Sequence, residues 1–197
     1  MLKKLIGSYR GTIELWADFW RLYGGFSSLL VSIYFGLALV VTVLCFGIWV
    51  KPGWWDIVIG AIPTLLGFTL AGLAVFMSMD SGFSKIIAGG STTANPSPFL
   101  SLISSFVHFI LVQTVALIYA LISKSLSFVL PNMPGWYYSA MSVLTPIAGA
   151  IGFLIFIYAV MLVVAATFSI FRSSKWFESY IDQLNESKND AGGPPTS

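Results

Sequence analysis

Charge is what this sequence lacks most. Asp, Glu, Lys and Arg make up 9% of the 197 residues, whereas 57% are hydrophobic. A typical soluble domain has about 25% charged residues, so these few charges could not cover a soluble surface. Lipid solvates apolar side chains, and the composition therefore predicts an integral membrane protein. The net charge of +2 is too small to indicate direct binding to nucleic acid.

Groups that perform chemistry are equally scarce. The chain has one cysteine, Cys45, and one histidine, His108, which excludes an intramolecular disulfide and leaves no metal-ligand spacing. The four apolar runs described next contain no Asp, Glu, Lys or Arg, although proton-coupled transport usually needs such groups. We therefore predict no catalytic residue, no bound metal and no cofactor, and we do not expect an enzyme.

Four long apolar runs predict transmembrane helices at residues 26–50, 57–79, 99–122 and 140–171. Each run exceeds the roughly 20 residues that cross a hydrocarbon core. Backbone groups in lipid must be paired within the segment, which favours helices. The seven tryptophans lie at or just outside the ends of these runs, as in an aromatic belt at headgroup depth. The predicted fold is an all-α membrane protein with a four-helix transmembrane bundle over residues 25–172.

The distribution of positive charge predicts the orientation. With the N-terminus in the cytoplasm, eight of the ten Lys and Arg residues lie on the cytoplasmic side, and only Lys51 and Lys124 lie outside. Cytoplasmic flanks are enriched in these residues. Both termini are therefore predicted to be cytoplasmic (N-in/C-in), in a multi-pass protein of a bacterial inner membrane.

Residues 1–24 are predicted to form an amphipathic helix in the membrane interface. One apolar stripe recurs at spacings of four and three residues, and it comprises Leu2, Ile6, Tyr9, Ile13, Trp16, Trp20 and Tyr23. Such a helix lies with its aromatic side chains among the lipid headgroups. It could serve only as a membrane anchor, or it could also present a docking face to a partner or a neighbouring subunit.

Residues 173–188 are predicted to extend the fourth helix into the cytoplasm, and residues 189–197 to be a disordered tail. In this extension Phe177 and Tyr180 lie on an apolar edge, whereas Asp182 and Glu186 lie on an acidic edge. Anionic lipid would repel the acidic edge. These four residues are the predicted docking site for a soluble cytoplasmic partner.

Small residues form one face of the second predicted span: Gly60, Thr64, Gly67, Ala71, Ala74 and Ser78. Small faces let helix backbones approach closely in membranes. This face could pack within or between subunits of a homo-oligomer, or line a narrow conduit in one. On the fourth span, Thr145, Gly149 and Gly152 share a face that we expect to pack against the second span, with a gate or hinge as the alternative.

The third span has the only unusual polarity. Ser104, His108 and Gln113 lie in its apolar run, and an ionisable residue in the membrane is a candidate functional group. His108 could bond to the backbone or to Ser104 one turn away, respond to pH, or line a pore. We expect Gln113 to form an interhelical hydrogen bond.

Two stretches carry a resemblance to known proteins. The Leu-Gly-Phe-Thr-Leu-Ala-Gly sequence at 66–72, within 62–76, and the segment 106–114 resemble small uncharacterised four-helix inner-membrane proteins of bacteria. This build is also similar to the membrane subunits of Kiwa-type anti-phage systems, in which a tetraspan protein works with a soluble partner. The resemblance covers roughly the second to fourth spans, and no residue-level site carries over from it.

The resemblance implies an oligomer that senses or disrupts the membrane and docks a partner through its cytoplasmic ends. The expected function is therefore that of a non-enzymatic, homo-oligomeric component of a bacterial anti-phage defence or stress system. A small oligomeric ion channel or pore-forming effector is the alternative.

Overall fold

The computed structural model describes residues 2–78, 82, 87–89, 97–128, 131 and 133–191. Side chains are described for all of these except 2–9, 22, 23, 26, 27 and 187–191. No strand occurs in these ranges, and the chain folds as an all-α protein. The helices whose bounds fall in these ranges are α1 (Leu2–Tyr23), α2 (Gly25–Val31), α3 (Ile33–Leu44), α4 (Phe46–Trp49), α5 (Trp54–Met77), α6 (Pro98–Leu126) and α7 (Gly135–Ala191).

Three of the helices in the described ranges are long and apolar enough to cross a membrane. They are α5 with 24 residues, α6 with 29 residues and the Gly135–Glu186 part of α7 with 52 residues. The prediction of a multi-pass, all-α membrane protein is confirmed. The predicted spans at 57–79, 99–122 and 140–171 fall on these helices, which extend beyond the prediction at five of their six ends.

The first apolar run, 26–50, is divided among α2, α3 and α4. Ser32 has an extended backbone (φ −63°, ψ 129°), and its carbonyl accepts the N–H groups of Phe35 and Gly36. Ser32 therefore ends one helix and begins the next. With 12 residues, α3 is only about 18 Å long, whereas the hydrocarbon core is about 30 Å thick. Helix length alone thus does not establish a fourth span.

Helix α6 runs antiparallel to α5. At one end the Lys124 ammonium lies 2.8 Å from the Asp56 carboxylate, and towards the other end the Phe106 ring lies beside Gly72. Between these contacts, Gln113 bonds to Thr69. The contacts follow one another in opposite directions along the two helices, so the beginning of α5 and the end of α6 share one end of the bundle.

Helix α7 runs parallel to α5, and α3 and α4 run antiparallel to α7. Trp54 and Gly72 of α5 contact Gly152 and Ile170 of α7, respectively. The Phe35 ring of α3 meets the Tyr158 ring of α7 edge-on at 5.5 Å. The Trp49 carbonyl lies against Gly149, nine positions earlier in α7. The α3–α4 segment therefore packs along the first half of α7.

A notch in α7 receives the first side chain of α5. Trp54 is 3% exposed, and its ring occupies the space where a side chain at Gly152 would lie. The Tyr119 ring of α6 also occupies this space, and its hydroxyl donates to the Ala148 carbonyl at 3.0 Å. Gly149 adjoins Trp49 and Trp54. Gly149 and Gly152 of α7 thus accommodate the Trp49 backbone of α4 and the bulky side chains of Trp54 and Tyr119 from α5 and α6.

Helix α7 is far longer than a bilayer is thick. Its 57 residues correspond to roughly 85 Å, whereas a bilayer with its headgroups measures about 40–45 Å. The first charged residue of α7 is Arg172, so its polar, C-terminal part extends beyond the membrane. The predicted extension at 173–188 is continuous with the predicted span at 140–171, because both lie in α7. Residues 189–191 still belong to α7, and the remainder of the predicted tail lies outside the described residues.

Substitution of Gly152 by Ala tests this notch. A Cβ atom here would lie 2.5 Å from Tyr119 Cε1 and would overlap the Trp54 ring, so we expect the free energy of unfolding to fall by about 1–3 kcal/mol. Thermal or denaturant unfolding in detergent measures the change. Gly36→Ala is the matched control, since a Cβ at that exposed helical glycine meets nothing within 4 Å. Equal stability of the two variants would contradict the notch.

Candidate functional site

The amide of Gln113 joins α6 to α5. Its side chain is fully buried, and Nε2 donates to Thr69 Oγ1 at 3.0 Å. The Thr69 hydroxyl donates in turn to the Leu65 carbonyl at 2.9 Å. The sequence predicts an interhelical bond for Gln113, and the structure provides Thr69 as its partner.

The imidazole of His108 joins α6 to α7. It is buried, and Nε2 lies 3.1 Å from the Tyr158 hydroxyl, with the direction of donation set by the tautomer. Ser104, the expected partner one turn away, donates to the Ser101 carbonyl at 2.9 Å instead. The Tyr158 ring also contacts Phe35, so this pair connects α3, α6 and α7.

These contacts bear on the proposed roles of the three polar residues in α6. Ser104, His108 and Gln113 are all buried inside the bundle. Among the described residues, no buried polar side-chain atom lacks a hydrogen-bond partner. Within the chain these groups therefore bond to protein rather than line an open pore. A response of His108 to pH remains a hypothesis.

The small-residue face of α5 points away from the bundle. Val58, Ile62, Thr69 and Phe76 are buried on the inner side of α5. Gly60, Thr64, Gly67, Ala71, Ala74 and Ser78 are all exposed, and helical spacing puts them on the opposite side. A Cβ atom at Gly60 or Gly67 would meet nothing within 4 Å. The described part of the chain does not cover this face.

The four predicted docking residues of α7 fall into two groups. Phe177 and Tyr180 are partly buried and pack against the hydrophobic core of the chain. Asp182 and Glu186 are exposed. Because Phe177 and Tyr180 pack within the chain, the acidic edge is the accessible part of the predicted site. This edge also includes the exposed Glu178.

Helix α1 packs against α6 and exposes much of its described surface. Ion pairs join Arg10 to Glu14 at 3.1 Å and Arg21 to Asp18 at 2.7 Å. Of the predicted apolar stripe, Ile13 and Trp16 are exposed and Trp20 is half-buried. The remaining stripe residues, Leu2, Ile6, Tyr9 and Tyr23, have side chains outside the described set.

The sequence does not single out Thr69 and Tyr158, the partners of the two buried polar residues. Both are polar side chains inside otherwise apolar spans, and that property is the signal that could have marked them. Their pairing joins positions 44 and 50 residues apart, which the spacing within one helix cannot reveal.

The described residues contain no cluster of three or more His, Cys, Asp or Glu that could hold a metal ion. In comparisons with known proteins, no protein family, no curated protein and no solved structure matches this chain.

A double-mutant cycle on Gln113→Leu and Thr69→Val measures the bond between α5 and α6. We expect a coupling free energy between about 0.6 and 1.7 kcal/mol, the average and the maximum that such cycles give for interhelical hydrogen bonds in membranes. Unfolding of the wild type, both single variants and the double variant in the same detergent provides the four values. Strictly additive effects would contradict a direct bond. Ser104→Ala with Gln113→Leu is the control cycle, because Ser104 bonds within its own helix.

Proposed function

We propose that this chain is a non-enzymatic, homo-oligomeric inner-membrane component of a bacterial anti-phage defence or stress system. In this proposal it senses or perturbs the membrane and recruits a soluble cytoplasmic partner. The observation that carries the oligomer is the exposed small-residue face of α5, which lies opposite the side that packs in the bundle. The defence role rests on the similarity of the four-helix build to the membrane subunits of Kiwa-type anti-phage systems.

Membrane physics supports assembly through this face. Lipid tails are as apolar as Leu side chains, so helices in a bilayer associate through close packing rather than hydrophobic burial. A face without bulky side chains brings two backbones near each other and gains dispersion contacts. Because the chain does not use this face itself, a second copy is the proposed occupant.

The proposed topology has four crossings with both termini in the cytoplasm. The antiparallel packing of α3 and α4 along α7 supports a first crossing in spite of the break at Ser32. The Cys45 N–H still donates to the Val41 carbonyl at 2.9 Å, so α3 and α4 form a nearly continuous helical segment. The excess of Lys and Arg at the termini supports the orientation. Helix α1 would then lie in the cytoplasmic interface.

The projecting part of α7 supports a docking role. This segment exposes Glu178, Asp182 and Glu186, and anionic lipid repels such an edge. A soluble partner with a basic surface would be complementary to it. Helix α1, with its exposed charges, is the other candidate dock.

An ion channel is the second candidate function. Its pore would be lined by the small-residue face of α5 and not by the polar residues of α6. The buried bonds of His108 and Gln113 disfavour a pore along α6. A channel would therefore be lined by the small-residue faces of several α5 helices. Ion leak from liposomes that contain only this protein would favour the channel, whereas leak that requires a cytoplasmic partner would favour the two-component system.

Gly67→Leu tests assembly. The leucine would separate two α5 backbones, and we expect self-association to weaken at least tenfold, which corresponds to about 1.4 kcal/mol. Native mass spectrometry across a dilution series in mild detergent measures this change. Gly36→Leu is the control, because Gly36 is also exposed and open but lies on α3. An unchanged oligomer in the Gly67 variant would overturn assembly through this face.

Charge reversal tests the dock. With Asp182→Lys and Glu186→Lys combined, we expect a stoichiometric partner that co-purifies from native membranes to be reduced at least tenfold, because the charge of the edge is inverted. Glu14→Lys with Asp18→Lys makes the same charge change on α1. Loss of the partner only in the α1 variant would move the dock to α1. Absence of any stoichiometric soluble partner from the wild type would contradict recruitment.

A further inference from the structure

A groove of about 530 Å³ lies at the end of the bundle where α5 begins, α6 ends and α7 begins. We call it the Trp54 groove. Trp54 and Trp55 line it and are nearly inaccessible. Ile122 of α6 and Leu144 of α7 also line it and are about half-exposed. The groove is thus built on buried indole rings and opens between two helices that cross the membrane.

The volume and lining of the Trp54 groove suit an apolar chain. Ligand sites typically measure about 300–1,000 Å³ and combine an apolar lining with a few polar groups. Among the described residues, the groove is lined by neutral polar groups, including the hydroxyls of Ser123, Thr145 and Tyr137, and by no charged residue. An apolar chain would fit this lining, whereas a buried ionic group would find no partner.

Positive charge predominates beside the groove. Lys124 lies between Ser123 and Ser127, which both line the groove, and Asp56 follows Trp55. The Lys124 ammonium and the Asp56 carboxylate are 2.8 Å apart and both stay more than half exposed. Within 45–60 and 120–148 the only other charged residue is Lys51. This end of the bundle therefore has a net charge of +1, which is complementary to an anion.

We propose that the Trp54 groove binds an anionic glycerophospholipid, with an acyl chain against Trp54 and Trp55 and the phosphate group beside Lys124. Tryptophan is enriched at the depth of lipid headgroups. An acyl chain that lies on these two rings therefore places its phosphate group near the beginning of α5 and the end of α6. Phospholipid is also the solvent of the exposed walls. The site requires a membrane-spanning bundle but neither the oligomer nor the soluble partner proposed above.

The test is lipid binding by the purified full-length chain. Native mass spectrometry counts phosphatidylglycerol and phosphatidylcholine molecules with identical acyl chains as each is titrated into the detergent. We expect phosphatidylglycerol to bind about fivefold more tightly, the effect of one cationic side chain near an anionic headgroup. Lys124→Gln should abolish this preference and leave phosphatidylcholine binding unchanged. Equal binding of the two lipids by the wild type would overturn the anionic headgroup.

A matched pair of substitutions tests the groove itself. Thr145→Trp places an indole in the groove, and we expect the occupancy of both lipids to fall about tenfold. Val143→Trp is the control, since Val143 is similar in size to Thr145 and exposed on the same helix but does not line the groove. Equal lipid binding by the two variants would overturn the proposal. Gly67→Leu should keep the lipid, which separates this site from the assembly of the oligomer.

The unmodified chain provides an independent check. Phosphatidylglycerol with a photoreactive group on its acyl chain should label residues of the groove, such as Ile122, Met141 and Leu144. Labelling spread evenly over the lipid-facing helices would show an annular lipid only and overturn a specific site. A second copy of the chain in the groove would give protein–protein crosslinks, and a detergent molecule there would give a retained detergent mass. Either result would also overturn the lipid site.

Discussion

The bundle depends on the need to pair polar groups where no water is present. Helix α6 brings His108 and Gln113 into an apolar span, and each bonds to a different neighbour, Tyr158 on α7 and Thr69 on α5. Contacts between apolar faces allow many relative positions along the helix axes, whereas two directional bonds allow few. Helix α6 thereby fixes the register of α5 and α7, and α3 follows because Phe35 packs on Tyr158.

Complementary packing of side chains against glycines adds to these two hydrogen bonds. With the register fixed, Trp54 and Tyr119 fill the notch at Gly152. Near the other end, Gly72 leaves space for Ile170 and the Phe106 ring. The glycines that serve the bundle therefore face inward, on α7 and on one side of α5. Gly60 and Gly67 face outward and serve no contact within the described chain, which is why the proposed assembly uses them.

Hydropathy predicts four crossing helices, and three of them fall on helices that are long and apolar enough to span a membrane. Crossing a bilayer requires a long apolar segment, and the length of such a segment is readable from the sequence. The break at Ser32 was not predictable in this way, since mean hydropathy does not report the backbone conformation of one residue. Helical spacing places Ser104 beside His108, but a serine hydroxyl within a helix readily bonds to its own backbone. Finding Tyr158 and Trp54 requires the tertiary packing, because each contact joins distant parts of the chain.

The same packing favours some of the proposed uses of the surface over others. A pore along α6 would have to break the bonds of His108 and Gln113 and leave polar groups unpaired in a medium of low dielectric constant, which is costly. An interface along α5 breaks no such bond, because its small face is already open. Helix α7 contains Gly152, Tyr158, Asp182 and Glu186 in one continuous helix. A displacement of α7 in the bundle would therefore move the acidic edge with it, and in the proposed function this would transmit a change in the membrane to the partner.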